Sequence, residues 1–526
     1  MSYLDNLKNQ SNITYTENGA VTNKSSLSDC LDLFFIAGAS RNLSNKDIYD
    51  KVTRAFVEDK DLTMKILFFA RDIRGGLGER RFFRIAMQIV SRLSPESVDK
   101  NLKLFSEYGR YDDILAVYYS PEIHDSVLSI IKNQLEEDKN NMNEQKQVSL
   151  LAKWLPSVNA SSIETKNFAR KIAYDLGISE PEYRKTLSSL RKYIDILESR
   201  LCKKDYTFDY SKQPSNAMLK YRKAFLRNDN ERYTKFIEDV VKGNKKLNAG
   251  TLYPYQIVNK IKKNAFSLSD DEKKSLDATW KSLSNIENSQ NAIAVVDGSG
   301  SMYWSGQSVI PADVAISLGI YFAEHNKGAF KNHFITFSMT PKLVEIKGND
   351  IYEKVKYVSS FNECANTNIQ AVFDLILDTA VKNKTPQEEL PETVYIISDM
   401  EFDTCAYTYN YDYDESNATF DDEDYDEDYL EIFGYDDSSY GKYIPLTNYD
   451  VAKDKFEKAG YKLPNVVFWN VNSRVSQVPV TMHESGTALV SGATPQIFDM
   501  VKSGDINPLS IMMDILNSER YSNITA

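Results

Sequence analysis

Two patterns of hydrophobic and polar positions divide the chain. From about residue 28 to 280, apolar residues recur at three- and four-residue steps, broken by short Gly, Pro, Asn or Ser stretches, which predicts helices. Along 182–201, Tyr183, Leu187, Leu190, Ile194, Leu197 and Leu201 form one stripe, while Arg184, Lys185, Arg191 and Lys192 lie off it. This is the signature of an amphipathic helix with its stripe in a core. Further helices are predicted at 45–57, 62–73, 80–92, 95–108, 121–137, 161–176, 216–226 and 230–241. Many short helices in series, without strands, suggest stacked helical hairpins rather than one bundle.

Near residue 290 the pattern changes to buried strands alternating with helices. Strands are predicted at 291–297, 333–338, 393–399, 465–470 and 488–491, with helices at 310–325, 351–359, 368–381, around Asp450, 495–501 and 508–516. Such alternation means a doubly wound α/β domain, a parallel sheet covered on both faces. The expected organisation is an N-terminal extension at 1–27, a helical-repeat domain at 28–285, and an α/β domain at 290–526 interrupted by an insertion at about 401–445.

A length of 526 residues exceeds what one core serves and suits two large domains. No apolar run approaches the roughly 20 residues that span a bilayer. The start Met1-Ser-Tyr-Leu-Asp-Asn-Leu-Lys lacks a secretory pattern, so no membrane partner and a cytoplasmic address, host cytoplasm for a viral protein, are expected. Cys30, Cys202, Cys364 and Cys405, and His124, His325, His333 and His483, show no ligand spacing, which argues against zinc or a disulfide framework.

The net charge of -12 hides a split. Residues 1–290 carry 47 Lys+Arg against 39 Asp+Glu, and 291–526 carry 16 against 36. Residues 151–263 alone hold 24 basic and 12 acidic side chains, a surplus that attracts a polyanion or simply solvates a helical surface. Residues 401–440 hold 15 acidic side chains, eight tyrosines and no Lys or Arg. So dense a like-charge block reads as a weakly structured surface loop, or as an arm for a basic partner.

Candidate chemistry starts at Asp297-Gly-Ser299-Gly-Ser301, directly after a buried strand and therefore at the carboxyl edge of the sheet. Two hydroxyls and a carboxylate suit a hard cation, Mg2+ (or Mn2+/Ca2+), which takes oxygen ligands and retains water. Thr367 and Asp399, at two later loop and strand ends, add oxygens on that same edge. Together these five resemble the metal-ion-dependent adhesion site of von Willebrand factor A domains, D-x-S-x-S followed by Thr and then Asp. The resemblance implies that Thr367 ligates in the ligand-bound state, and that a sixth position is open to a carboxylate from a protein partner. Glu401 and Asp403 stand where they would crowd that face.

The first half carries Arg71-Asp-Ile-Arg-Gly-Gly-Leu-Gly-Glu-Arg80, Tyr108-Gly-Arg-Tyr-Asp-Asp113, Ala152-Lys-Trp-Leu-Pro156 and Pro214-Ser-Asn-Ala217. With the carboxyl-terminal domain these phrases resemble the proteins that join a TROVE module to a von Willebrand A domain, especially an uncharacterised branch in viruses, phages, fungi and bacteria. The Ro ribonucleoprotein autoantigens are the best understood members. The resemblance implies HEAT-like repeats and binding of structured or misfolded noncoding RNA, without DNA specificity. Candidate phosphate contacts are Lys212, Lys220, Arg222, Lys223 and Arg227, with Tyr221 and Phe225 as stacking faces. A second cluster, Arg71, Arg74, Arg80, Arg81 and Arg84, surrounds a glycine turn; it either presents donors to phosphate or ties two helices together.

The expected function is an RNA-binding scaffold whose α/β domain binds a cation and recruits a protein ligand. The alternative is a cation-dependent protein-interaction module without RNA. No P-loop, nucleophile elbow or His/Cys pair is found, so no catalytic residues are expected.

Overall fold

The computed structural model describes residue 7 and residues 11–526, except 266, 287–290, 304–308, 362–366, 405–445, 475–476 and 502–505. Residues 405–445 of the acidic, tyrosine-rich insertion therefore lie outside the described residues, as do Cys364 and Cys405.

The helical half begins with the helix Asp29–Ala37 and continues through Asn45–Glu58, Lys60–Arg71 and Arg80–Leu93. Local chemistry sets their starts. Ser44 and Asp47 form a capping box, and Asp59 caps the next helix through the amide of Leu62, each satisfying an otherwise orphaned amide. Two predicted helices are broken. The span 95–108 becomes Pro95–Asn101, a 3-10 turn at Leu102–Leu104 and the single turn Phe105–Tyr108. The span 182–201 becomes Glu180–Ile194 and Leu197–Cys202, because Asp195 adopts the left-handed conformation at φ 58° and Ile196 is extended. Arg200 donates to Asp195 across that corner, 2.8 Å from Nε to Oδ1.

The α/β half holds a six-stranded sheet built from β3 (Ala292–Asp297), β4 (His333–Phe337), β5 (Leu343–Glu345), β6 (Thr393–Ser398), β7 (Asn465–Asn470) and β8 (Thr487–Ser491), in the order β5-β4-β3-β6-β7-β8. Every pairing is parallel except β4 with β5. The antiparallel edge strand corrects the expectation of a purely parallel sheet: only three residues long and exposed at both ends, it has no buried run to mark it. β3 and β6 are buried at every residue, as strands covered on both faces must be.

Across the expected boundary at 285–290 the two halves pack against each other. One hydrophobic cluster runs from Ala20 to Ile524. The Asp29–Ala37 helix, buried from Cys30 onward, packs on β8, where a Cβ on Gly38 would fall 2.6 Å from the Gly492 backbone. Lys262 of the helix Pro254–Lys263 pairs at 2.6 Å with buried Asp313 of Pro311–His325. At the other end Asn101 donates to the carbonyl of Thr525 and Arg520 pairs with Asp72. The supposed N-terminal extension is also part of the fold. β1 (Ile13–Tyr15) and β2 (Val21–Asn23) form a hairpin, and Asn23 bridges Val478 of the α/β half.

Two of the helical signature phrases interlock. Arg71, only 2% exposed, holds Asp113 at 2.7 Å, and Gly109 leaves the space: a Cβ there would lie 2.7 Å from Arg71 Nε. Asp113 is fully buried and has Arg84 as its other guanidinium partner at 2.6 Å. Removing one partner of a buried pair leaves charge uncompensated, at about 3 kcal/mol or more. Arg71→Met should lower the urea-unfolding free energy by that order; a change too small to resolve would show that Arg84 suffices.

Candidate functional site

β3 and β6 are neighbours, and the strand order reverses between them, so a crevice opens beyond their carboxyl ends where open α/β sheets take ligands. Asp297 closes β3 and Asp399 follows β6 directly. The Asp297 carboxylate accepts from the Ser299 amide at 2.8 Å and from the Ser398 hydroxyl at 2.6 Å. The Ser299 and Ser301 hydroxyls lie 3.0 Å apart, and Ser301 helps to hold the Asp399 pKa down against burial. The Thr367 hydroxyl donates to the carbonyl of Glu401 at 2.8 Å and accepts from Asn18 Nδ2 at 3.1 Å. Asp297, Ser299, Ser301 and Asp399 thus meet in one crevice, and Thr367 joins them through the backbone two residues past Asp399.

Both carboxyls are buried. Burial, then the neighbouring Asp399 charge, push the Asp297 pKa up. Burial also raises Asp399, against the pull of Arg474. Asp399 Oδ2 has no hydrogen-bond partner by strict geometry, and an Arg474 guanidinium nitrogen stands 3.2 Å away. Two buried like charges with one stripped oxygen and two hydroxyls between them form a donor set that fits a hard cation. Among the described residues no three His, Cys, Asp or Glu gather as a metal cluster, so a cation here depends on the hydroxyls.

The face expected to be open is covered, which corrects the sequence reading. The turn between β1 and β2 lies over it: Thr16 Oγ1 donates to the carbonyl of Phe402, the Glu17 amide to Glu401 Oε2, and Asn18 Nδ2 to the carbonyl of Glu401. Glu401 is turned toward that backbone and toward Gln477 Nε2 at 2.9 Å. Sequence reasoning missed Ser398, Arg474, Gln477 and this turn. Ser398 was visible as the hydroxyl residue before Asp399, and Arg474 as a rare cation just after a strand of an acidic domain. Nothing local marks the turn.

The basic candidates separate. Arg71 is buried against Asp113, Arg84 pairs with Asp112 and Asp113, Arg81 donates to the carbonyls of Ser40 and Leu43, and Arg74 to that of Glu107. Arg80 is exposed, and its pKa is lowered by burial of its charge and by Arg110 and Arg84. Arg71, Arg84, Arg81 and Arg74 therefore join structural elements, the second of the two expected roles, while the exposed Arg80 has no such contact among the described residues. On the helix Ser215–Asn228, Lys212 just ahead of it, Lys220, Lys223 and Arg227 are exposed. Arg222 is 3% exposed and bonded to the Leu219 carbonyl, and Phe225 is buried, so neither reaches a ligand.

The described surface offers a different basic feature. A groove of about 970 Å3 runs between Ser157–Asn159 and the Glu180–Ile194 and Leu197–Cys202 helices, lined by Arg184, Lys185, Arg191, Lys192, Arg200 and Lys203 with Asp195 and Asp205. Arg200 pairs with both acids, and Arg191 is spent on the Ala152 and Leu155 carbonyls. Arg184, Lys185, Lys192 and Lys203 are exposed and in no ion pair among the described residues. Three of them are the polar face read from the sequence; the broken helix turns that face into a wall.

A raised Asp297 pKa means that the folded chain keeps a proton the unfolded chain has released. Its stabilising contribution is complete below the ordinary aspartate pKa of about 4 and is lost as pH rises toward neutrality. In chelator, the wild-type thermal midpoint should therefore fall over that window relative to Asp297→Asn. Parallel pH profiles would contradict the buried-pair electrostatics.

Comparison with known proteins follows the same division. The model for "Domain of unknown function (DUF7788)" matches residues 291–507. An uncharacterized protein of Acanthamoeba polyphaga mimivirus, L728, is 29% identical over 546 residues, covering 96% of this chain and 87% of its own length. The crystal structure of the Deinococcus radiodurans RO (RSR) protein superposes with a TM-score of 0.44 at 10% identity, covering 95% of this chain and 100% of that one. The model for "Domain of unknown function (DUF2828)" matches residues 16–110 and 109–291, more than half of the chain: the chain belongs to the DUF2828 family.

Proposed function

We propose that the chain is an RNA-binding scaffold in which the helical half holds structured RNA, and an α/β domain of the von Willebrand A kind takes Mg2+ (or Mn2+/Ca2+) for recruitment of a protein ligand. The observation that carries the RNA half is the groove. Four cations in no ion pair among the described residues line a concave surface that also carries serine hydroxyls, the arrangement that binds phosphate irrespective of sequence. The phrases resembling TROVE proteins support the helical architecture on which that reading rests. Asp297, Ser299, Ser301 and Asp399 would hold the cation, with Thr367 beside them, and the cation would supply the charge that binds an acidic side chain. No catalytic role is assigned. No helix among the described residues is long and apolar enough to cross a membrane, and the proposed address is the cytoplasm, that of the host for a viral protein.

One observation favours the second reading, a protein-interaction module without RNA: the polar crevice already receives a peptide turn, the chain's own. Salt separates the two readings, since phosphate binding weakens steeply as salt rises.

Reversing Arg184, Lys185, Lys192 and Lys203 to Glu should weaken binding of a structured RNA more than tenfold and flatten its salt dependence by roughly three phosphate contacts. Reversing Lys212, Lys220, Lys223 and Arg227 tests the other surface. RNA binding lost only in the second variant would move the site; wild-type protein free of nucleic acid even at low salt would favour the protein-interaction reading.

A further inference from the structure

The cation crevice meets a turn that addresses it with backbone and side chains alike. Besides the contacts of Thr16, Glu17 and Asn18 already given, the Thr404 amide donates to the Asn18 carbonyl, and Gly19 bridges Asp403. At φ 86° Gly19 supplies a backbone conformation that side chains resist, and a Cβ on it would lie 2.6 Å from the Thr404 hydroxyl. The outward side chain is Glu17. Its carboxylate takes one Arg474 nitrogen at 2.8 Å, while another Arg474 nitrogen stands 3.2 Å from Asp399. One guanidinium thus bridges a carboxylate of the crevice and a carboxylate of the turn, the position in which a divalent cation would join the same two groups.

We propose that the surface formed by Asp399, Thr367 and residues 401–404 is a docking site for an acidic peptide turn, that the chain's own turn at 16–19 occupies it in cis, and that Arg474 holds the cation's place. The proposal rests on the cation reading above and adds its regulation and the chemistry of its partner: a turn with Glu or Asp at its tip followed by a side-chain amide, as in Glu17-Asn18-Gly19. Displacement is feasible because the strands flanking the turn have three residues each, and a two-stranded hairpin has little stability of its own. Glu17 keeps 46% of its side chain in solvent, so an external carboxylate has an approach. Arg474 and the cation exclude each other by charge: a guanidinium beside Asp399 repels an incoming divalent ion. Loss of Arg474 therefore favours the cation, whereas loss of Glu17 removes a carboxylate the cation would use.

The test is calorimetric titration of Mn2+ into the full-length chain, comparing wild type with Arg474→Gln, Arg474→Lys, Glu17→Gln and Asp399→Ala. Arg474→Gln should tighten Mn2+ binding by about tenfold or more. Arg474→Lys, which keeps the charge, should stay near wild type, and Glu17→Gln made on the Arg474→Gln background should weaken the gain. A labelled peptide of residues 13–23 should bind an Asn18→Ala chain in the presence of Mn2+, and the same peptide with Glu17→Gln should not. Equal Mn2+ affinity in wild type and Arg474→Gln, both lost in Asp399→Ala, overturns the plug and leaves the cation site standing. No Mn2+ binding by any variant overturns both.

Discussion

The backbone contact between Gly38 and Gly492 sets how the two halves of the chain meet. A helix whose every residue from Cys30 to Ala37 is buried needs a surface to cover it, and that surface is the edge strand β8. The approach is close enough that the Gly38 amide donates to the Ser491 hydroxyl at 3.0 Å, and that hydroxyl in turn donates to the Phe34 carbonyl at 3.3 Å. Glycine on both sides is what close packing of backbone demands. Once this seam is formed, the chain just ahead of the helix has little choice of route. It crosses Val478 and turns over the crevice beyond β3 and β6, so the position of Glu17 above Asp399 follows from the packing of a helix more than 10 residues away in sequence.

Electrostatics then decides what that geometry is for. Several buried carboxylates elsewhere among the described residues are matched by a cation: Asp113 by Arg71 and Arg84, Asp72 by Arg520, Asp313 by Lys262. The crevice is different. Asp297 receives only neutral donors, Ser299 and Ser398, and Asp399 has one guanidinium shared with Glu17. Burial of a like-charged pair is costly unless a counterion arrives or a proton is taken up. The crevice therefore holds a like-charged pair at a cost to stability that those matched carboxylates do not carry.

Pattern alone carried much of the architecture. β3, β6 and β7 are visible because five or six successive buried residues leave no alternation to confuse, and Asp297, Ser299, Ser301 and Asp399 could be placed together because strand ends of one sheet edge share a crevice. The rest was hidden for physical reasons. The 182–201 stripe stays in register across Asp195, so periodicity could not reveal a corner made by one left-handed residue. The hairpin at 13–23 is three residues per strand and offers no period to read. Arg71 and Arg222 looked like phosphate ligands because composition counts charges without their surroundings; Asp113, 42 residues on, claims the first, and burial on the helix's own inner face, with a bond to the Leu219 carbonyl, withdraws the second.

The same lesson bears on what the shared phrases of the helical half mean. Arg71-Asp-Ile-Arg-Gly-Gly and Tyr108-Gly-Arg-Tyr-Asp-Asp113 contact each other and the carboxyl terminus: Ile73 N donates to the Tyr108 carbonyl at 3.0 Å, and the Tyr521 hydroxyl donates to the Gly75 carbonyl at 3.1 Å. Their glycines and charges are used up in joining three distant segments. What these phrases build in this chain is closure between its distant segments. Partner choice is left to surfaces those phrases do not build, the walls of the 157–205 groove and the crevice beyond β3 and β6. A shared phrase in this fold is an argument for common architecture, and the identity of the ligand has to be read from the groove and the crevice of each chain.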